Sequence, residues 1–447
     1  MLKTNGILCK NSYRFLGIGG IGVSALAVFL RRMGKNVVGY DKNVNTDLVG
    51  RLRAYGIPVS ATFSSLPHAE VTVYSGAFTK KEVVAALGGN SIYFSRAEFL
   101  GAIMREFPTS VAIAGSHGKT TATAMLGEII NGTASTVFLG GEYPPFTDRG
   151  GFGNLYYEGE SLCVAEACEY RQSFLSLRPT VALALNVEED HMDCYANFSL
   201  LKDAFRRFLD GGKASVVNID DPFLSEYPAT VTYGLCKSAD YYADNLRADR
   251  GKYAFDCFER GRLRGRVQLN VSGKHNVYNA LAAISAARQL FIPFPIILRK
   301  LETFSGVDRR NHYLGRVYGK KIYADYAHHP TEIQAILSAF REEEGGDFAV
   351  VFQPHTYERT KYLFSGFVSV LSGLPNFALY TTYAARNSDG AKQEEELLPF
   401  ISAPLLKNEK DMENFIKDLP TNVTRVLVLG AGDIYEIARK IINSVTM

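Results

Sequence analysis

The segment Ser110–Ile130, SVAIAGSHGKTTATAMLGEII, decides how this chain is read. An apolar run ends at Gly115, a short glycine-bearing loop follows, and an apolar helical pattern opens after Lys119. Strand, glycine loop and helix are the opening of a βαβ unit. The loop, Gly115-Ser116-His117-Gly118-Lys119-Thr120-Thr121, is a shortened phosphate loop, because Ile113 stands where the full pattern needs a further glycine. The working parts remain. Backbone amides cradle phosphates, Lys119 neutralises the β and γ oxygens, and Thr120 offers a hydroxyl to Mg²⁺.

The same unit recurs as YRFLGIGGIGVSALAVFL from Tyr13 and as RVLVLGAGDIYEIARKII from Arg425. Three α/β domains with parallel sheets account for it: a Rossmann-like amino-terminal domain, a central P-loop ATPase-type sheet and a Rossmann-like carboxyl-terminal domain. The polar, proline-bearing stretch Arg105–Thr109 sets the first boundary, and Phe291–Pro295, after an apolar helix at Val277–Leu290, sets the second near residue 300. The expected domains are 1–107, 108–300 and 301–447.

The first glycine loop, Gly17-Ile-Gly19-Gly20-Ile21-Gly22, follows a strand and opens a helix, and Asp41 ends the next strand. This is the dinucleotide fingerprint in its expected setting. Alone it suggests NAD, yet the loop recognises a diphosphate beside a ribose, and UDP offers the same groups. A dehydrogenase needs only this loop and a simple NTPase only the second. An enzyme that uses ATP to activate a nucleotide-linked substrate needs both.

Composition agrees with a multidomain globular enzyme. The chain has 447 residues, 47% apolar and 21% charged, and 49 basic against 46 acidic residues leave +3. That balance argues against general nucleic-acid or membrane-surface binding. No apolar run approaches the ~18 residues that span a bilayer, and the first residues lack the hydrophobic stretch of a secretory signal. A cytoplasmic protein without a membrane span is expected. The six cysteines form no CxxC pair and read as reduced thiols, with Cys168 and Cys194 beside motif residues.

In a parallel sheet all strand carboxyl ends meet on one edge. Glu166 ends SLCVAEA and His191 follows TVALALNV, so both can converge on Thr120 as ligands of Mg²⁺ held on ATP. His191 equally suits a strand-end hydrogen bond, with Asp190 or Asp193 orienting its ring. Asn276 and Asn279, on one helical face after His275, either read an adenine edge or cap the helix. In the third region, YADYAHHPTE places Asp325 and His328, and FQPHTYERT places His355 and Arg359, at strand ends. Their positive charge suits phosphate or carboxylate oxygens, Arg359 being the better bidentate partner.

These segments together resemble the Mur ligases, ATP-dependent enzymes that build the peptide of bacterial peptidoglycan. GIGGIGVSALA, AGSHGKTTATAML, NVEEDHMDCY, SGKHNVYNALAA, FSGVDRR, YADYAHHPTEI and FQPHTYERT carry the resemblance nearly end to end, and it is strongest to the alanine-adding branch. The resemblance implies ligation of L-alanine to UDP-N-acetylmuramate through an acyl phosphate, in cell-wall synthesis that serves cell shape and division, by a monomer or weak homodimer. It implies catalytic roles for Lys119, His117, His191 and Arg359. ATP falls to Gly115 through Thr121 with His275, Asn276, Asn279, Arg310 and Asp325. The UDP substrate falls to Gly17, Gly19, Gly20, Ile21, Gly22, Asp41, Ser75, Gly76, His117 and His328. The amino acid falls to His355 and Arg359, and the metal to Thr120, Glu166 and His191. There are departures: Glu166-Ala-Cys168-Glu-Tyr170-Arg171 where Glu-Ala-Asp-Glu-Ser-Asp is common, Thr356 for an arginine, Asn387 for a glutamate, and Phe205-Arg-Arg-Phe208 without the lysine that some members carbamylate. Two rivals stand beside this reading, a murein-recycling ligase that attaches a whole tripeptide and an NAD-binding regulator or oxidoreductase.

Overall fold

The computed structural model describes residues 6–88, 90–343, 347–383 and 393–446; Asn387 lies outside them. Three separate sheets are present, each with its own strand order. In the first, Val59–Ser60, Asn36–Tyr40, Ser12–Leu16, Val71–Tyr74 and Ile92–Ser95 lie side by side in that order, all parallel. This 3-2-1-4-5 arrangement is a Rossmann-like half-sheet whose switch point lies beside Ser12–Leu16, the strand that feeds the first glycine loop.

The central sheet has ten strands. Its middle is Val181–Ala184, Thr109–Ala114, Leu162–Glu166 and Ser135–Phe138, mutually parallel. These strands are buried on both faces, which is why they read as continuous apolar runs without alternation. The antiparallel ribbon of Tyr241–Asp249, Lys252–Glu259 and Arg262–Ser272 extends one edge, and Leu155–Tyr157 closes the other. The third sheet runs His312–Val317, Lys320–Asp325, Val423–Leu429, Asp347–Phe352, Phe377–Tyr380 and Leu405–Leu406, parallel but for its first hairpin. Residue 300, near the break read from sequence, lies inside the helix Phe294–Glu302, whose Phe294, Ile297 and Leu301 join the central core with Phe304 and Val307. Its proline is the reason: Pro295 sits in the first helical turn, where a missing amide costs nothing, and so starts a helix as well as ending one.

Two contacts fix the phosphate loops relative to each other. Phe29, in the helix Ile21–Arg32 after the first loop, packs edge-on against Phe138 and Tyr157 of the central sheet, with ring centroids 5.4 and 5.7 Å apart. Asn154 donates to the Ile21 carbonyl at 2.7 Å and to Ser24 Oγ at 2.8 Å. The helix after the second loop, Lys119–Ile129, is buried from Thr121 onward and packs against the helix His275–Gln289. Gly118 enters it with φ +83°, and a Cβ there would meet Asn279 Oδ1 at 2.5 Å, so both backbone and space require glycine.

At the far end of that helix Glu128 is buried and accepts hydrogen bonds from Arg149 (2.8 and 3.0 Å), Tyr143 (2.9 Å) and Thr303 (3.2 Å). Burial works against its charge, but Arg149 and Tyr143 more than offset this and hold its carboxyl below the ordinary 4.5. Glu128→Ala strands the guanidinium and the phenol, and should lower the unfolding free energy by about 3 kcal/mol in urea titrations. The folded value lies below the unfolded one, so this stabilisation is complete above 4.5 and fades as the pH falls through the folded value. A wild-type advantage that stayed constant through that acid range would show that the carboxylate charge is not its source.

Candidate active site where three sheets meet

Lys119 is the first side chain of its helix, so its ammonium turns back over the loop. Nζ donates to the carbonyls of Gly115 and, at 3.1 Å, Ser116, and lies 3.0 Å from both oxygens of Glu169. Burial opposes its charge, but Glu169 outweighs that and raises the lysine pKa. Thr120 Oγ1 donates to Glu166 Oε2 at 3.1 Å, and the Gly140 amide donates to Oε1. Burial raises the Glu166 carboxyl despite Lys119 nearby, as expected for an acid placed for a cation.

His191 has its own carboxylate neighbours. It sits in the left-handed region at φ +57°, its amide bonded to Asp190 Oδ1 at 2.7 Å. Its Nε2 lies 3.5 Å from Glu169 and 3.7 Å from Asp190. Of the expected trio, Thr120 and Glu166 touch each other, while His191 lies beside Glu169 and Asp190; all three line the larger cavity described below. Of the two acids proposed to orient the ring, Asp190 is the near one and Asp193 is exposed. Arg359, on the short helix Tyr357–Tyr362 that follows a strand of the third sheet, places Nε and Nη2 at 3.0 and 2.9 Å from Asp190 Oδ1. Burial would raise Asp190, but His191 and Arg359 hold it well below the usual carboxylate range.

His117 is the junction. Its amide donates to Asn186 Oδ1 at 2.8 Å, and its ring stands between Glu332 (Nδ1, 3.3 Å) and Glu188 (Nε2, 3.5 Å). Burial alone would lower its pKa; the two carboxylates reverse this and push it up to about 9. Glu332, from the helix Pro330–Glu343, also faces His328 and Arg310 at 3.3 and 3.5 Å. Burial leaves His275 and His328 neutral, lowered to about 4 and about 3, and pushes Asp325 up to about 6.

Two cavities meet at this junction. The smaller, about 350 Å³, is lined by Gly118, His275, Asn276, Asn279, Arg310 and Asp325 among others. Asn279 Nδ2 donates to Asn276 Oδ1 at 2.9 Å, and Asn276 Nδ2 to the Ser272 carbonyl at 2.7 Å. The larger cavity, about 1020 Å³, runs from Gly22 and Arg96 past Ser116–Thr120, Glu166 and His191 to His328, His355 and Arg359. His117, Gly118, Arg310 and Glu332 line both.

The first loop borders the larger cavity at one residue. Of its residues only Gly22 lines the large cavity; Gly17, Gly19, Gly20 and Ile21 line neither, nor do Asp41, Ser75 and Gly76. Asp41 does not wait for a ribose: Oδ2 accepts the Gly19 amide at 2.8 Å and Oδ1 the Asn43 amide at 3.0 Å. Ser75 packs on Gly17, where a Cβ would meet its Oγ at 2.4 Å. Sequence reasoning assigned no role to Arg96, Asn186, Glu169, Glu188 or Glu332. The last three stand beside quoted motif residues, where a buried lysine, histidine or arginine demanded a counter-charge.

Family models match the chain in series: "Mur ligase family, catalytic domain" over residues 12–108, "Mur ligase middle domain" over 113–287 and "Mur ligase, glutamate ligase domain" over 309–432. A UDP-N-acetylmuramate–L-alanine ligase of Aquifex aeolicus is 35% identical over 451 residues, covering 97% of this chain and 98% of that one. Among solved structures, the UDP-N-acetylmuramate-alanine ligase of Thermotoga maritima superposes with a TM-score of 0.82 at 26% identity, covering 97% of this chain and 98% of the other. A murein peptide ligase of Psychrobacter arcticus reaches 0.74 at 21% identity, with the same shares, and carries the fold alone. Matched from end to end by these models and this relative, the chain belongs to the Mur ligase family.

Proposed function

We propose that the chain joins L-alanine to the lactyl carboxylate of UDP-N-acetylmuramate, using ATP. The observation that carries this reading is the wall shared by the two cavities, made of His117 and Gly118 of the P-loop with Arg310 and Glu332. A nucleotide in the smaller cavity has its terminal phosphate at that wall, and a carboxylate in the larger one meets it from the other side. The Aquifex and Thermotoga proteins are named for this reaction, which favours it over tripeptide attachment. The P-loop speaks against the NAD reading, because that reading needs only the first loop and leaves Lys119 and the two cavities beside it without a use.

A lactyl carboxylate oxygen attacks the γ-phosphorus, the bond to ADP breaks, and an acyl phosphate forms. The alanine amine then attacks the acyl carbon, loses a proton, and inorganic phosphate leaves. Lys119 is the cation for the transferring group, exchanging Glu169 for phosphate oxygens. His355 and Arg359 stand at the far end of the large cavity, where an amino-acid carboxylate would be held. Magnesium fits Thr120 and Glu166: a hydroxyl and a buried carboxylate lie 3.1 Å apart on the wall of that cavity. Bound there it would neutralise phosphate charge.

Phosphate release measured with UDP-N-acetylmuramate and single amino acids, against tripeptide and against NAD reduction, separates the readings. Turnover with alanine is expected; turnover only with tripeptide, or only NAD reduction, overturns the assignment. Lys119→Ala should reduce phosphate release by about a hundredfold or more while UDP-substrate binding persists. Gly19→Val sets a branched side chain against Asp41, where a Cβ already meets Oδ2 at 2.8 Å, and should abolish UDP-N-acetylmuramate binding in calorimetry. Unchanged affinity there would remove the first loop from the substrate site. Arg359→Lys cannot rebuild the two-nitrogen contact to Asp190. It should slow turnover by about tenfold or more, ~1.4 kcal/mol of transition-state stabilisation, with ATP affinity near wild type.

A further inference from the structure

His117 and His329 each have one ring nitrogen beside an acceptor and turn the other toward the same carboxylate oxygen. His117 Nδ1 lies 3.3 Å from Glu332 Oε1, while its Nε2 is buried, makes no hydrogen bond, and stops 3.5 Å short of Glu188 Oε2. His329 Nε2 is 3.3 Å from the Glu189 carbonyl, so that nitrogen carries the hydrogen and Nδ1 the lone pair. Nδ1 lies 3.8 Å from Glu188 Oε2 and accepts a long hydrogen bond of 3.3 Å from the Thr331 amide, which an ion would replace. Thr331 Oγ1 donates to Glu188 Oε2 at 2.6 Å. The three ligand atoms all lie within 4.8 Å of one another.

We propose that His117 Nε2, Glu188 Oε2 and His329 Nδ1 form a site for a divalent transition ion, zinc in the first place. Two imidazoles and one carboxylate with an open fourth position are a zinc donor set, and magnesium avoids it; zinc binding releases the proton that His117 Nε2 holds beside Glu188. The supporting shell is already built: Glu332 behind one imidazole, a backbone carbonyl behind the other, Thr331 on the carboxylate. Tetrahedral ligand atoms around such an ion stand about 3.4 Å apart, so the separations of 3.5 and 3.8 Å from the carboxylate need to contract only slightly, and the two nitrogens, within 4.8 Å of each other, close with them. The site shares no side chain with Thr120 and Glu166 or with His191. It joins two strand-end loops of the central sheet to the start of the helix Pro330–Glu343. An ion there ties the third domain to the central one and takes His117 out of the wall between the cavities.

The test uses the full chain without nucleotide, titrated with Zn²⁺ against a chromophoric chelator and with Co²⁺ followed by visible absorption. One tight ion per chain is expected, with the intense d–d bands of a four-coordinate site and no thiolate charge-transfer band. His329→Ala and Glu188→Gln should each weaken zinc by at least about tenfold, while His191→Ala leaves it unchanged. His329→Gln serves if the alanine variant does not fold, circular dichroism being the check. Wild-type zinc affinity no greater than that of the His329 variants, a loss that follows His191 instead, or a thiolate band would each overturn the proposal.

Discussion

Everything at the site depends on the parallel pairing of Thr109–Ala114 with its neighbours. Ile113 stands opposite Glu166 on one side and Leu183 on the other, so the P-loop, the Glu166 segment and the loop carrying Glu188–His191 leave the same sheet edge. An antiparallel neighbour of five residues would put its acid at the opposite edge, about 17 Å away. The third sheet obeys the same rule. Asp325 and Phe352, which precede the histidine loops, both stand opposite Leu429, so those loops emerge together.

What holds the edges face to face is charge. Buried cations and carboxylates are tolerated only when paired, and pairing here crosses domain borders. His117 of the P-loop faces Glu332 of the third domain, and Arg359 of the third domain reaches Asp190 of the central one. Thr331 adds a neutral bond to Glu188 at 2.6 Å. Removing one member leaves its partner buried without a counter-charge, a larger penalty than the pair's net contribution to stability. The first domain is attached differently, through Phe29 against Phe138 and Tyr157 and through Asn154, contacts that do not depend on ionisation.

The sheets and the P-loop were legible in the sequence because their signals are local: an apolar run, a glycine at forced φ, a helix start. The His117, Lys119 and Arg359 positions were legible for the same reason. Their counter-charges were not. Glu169 stands three residues after Glu166 in a segment that departs from the family pattern, and Glu332 is one of many helical glutamates until the fold brings it to His117, His328 and Arg310. The first loop was legible as a pattern and not in its internal bonding. G-x-G-x-x-G with a downstream acid fits a dinucleotide site, yet Asp41 bonds to the loop's own Gly19 amide at 2.8 Å, and pattern cannot distinguish an acid aimed at a ribose from one aimed at the backbone.

The pairing pattern also explains how a site with so many carboxylates could accept the phosphates of a nucleotide. Lys119 is satisfied by Glu169 and two loop carbonyls, so it stands charged before any anion arrives. A phosphate oxygen replaces one carboxylate with another anion, and the ammonium need not be desolvated again. Glu169, once released, faces His191 at 3.5 Å, where a cation arriving with the nucleotide would restore its balance. Exchange between internal and ligand anions keeps the buried charge count nearly constant. That constancy lets a preformed electrostatic site bind a highly charged ligand without a matching cost in reorganisation.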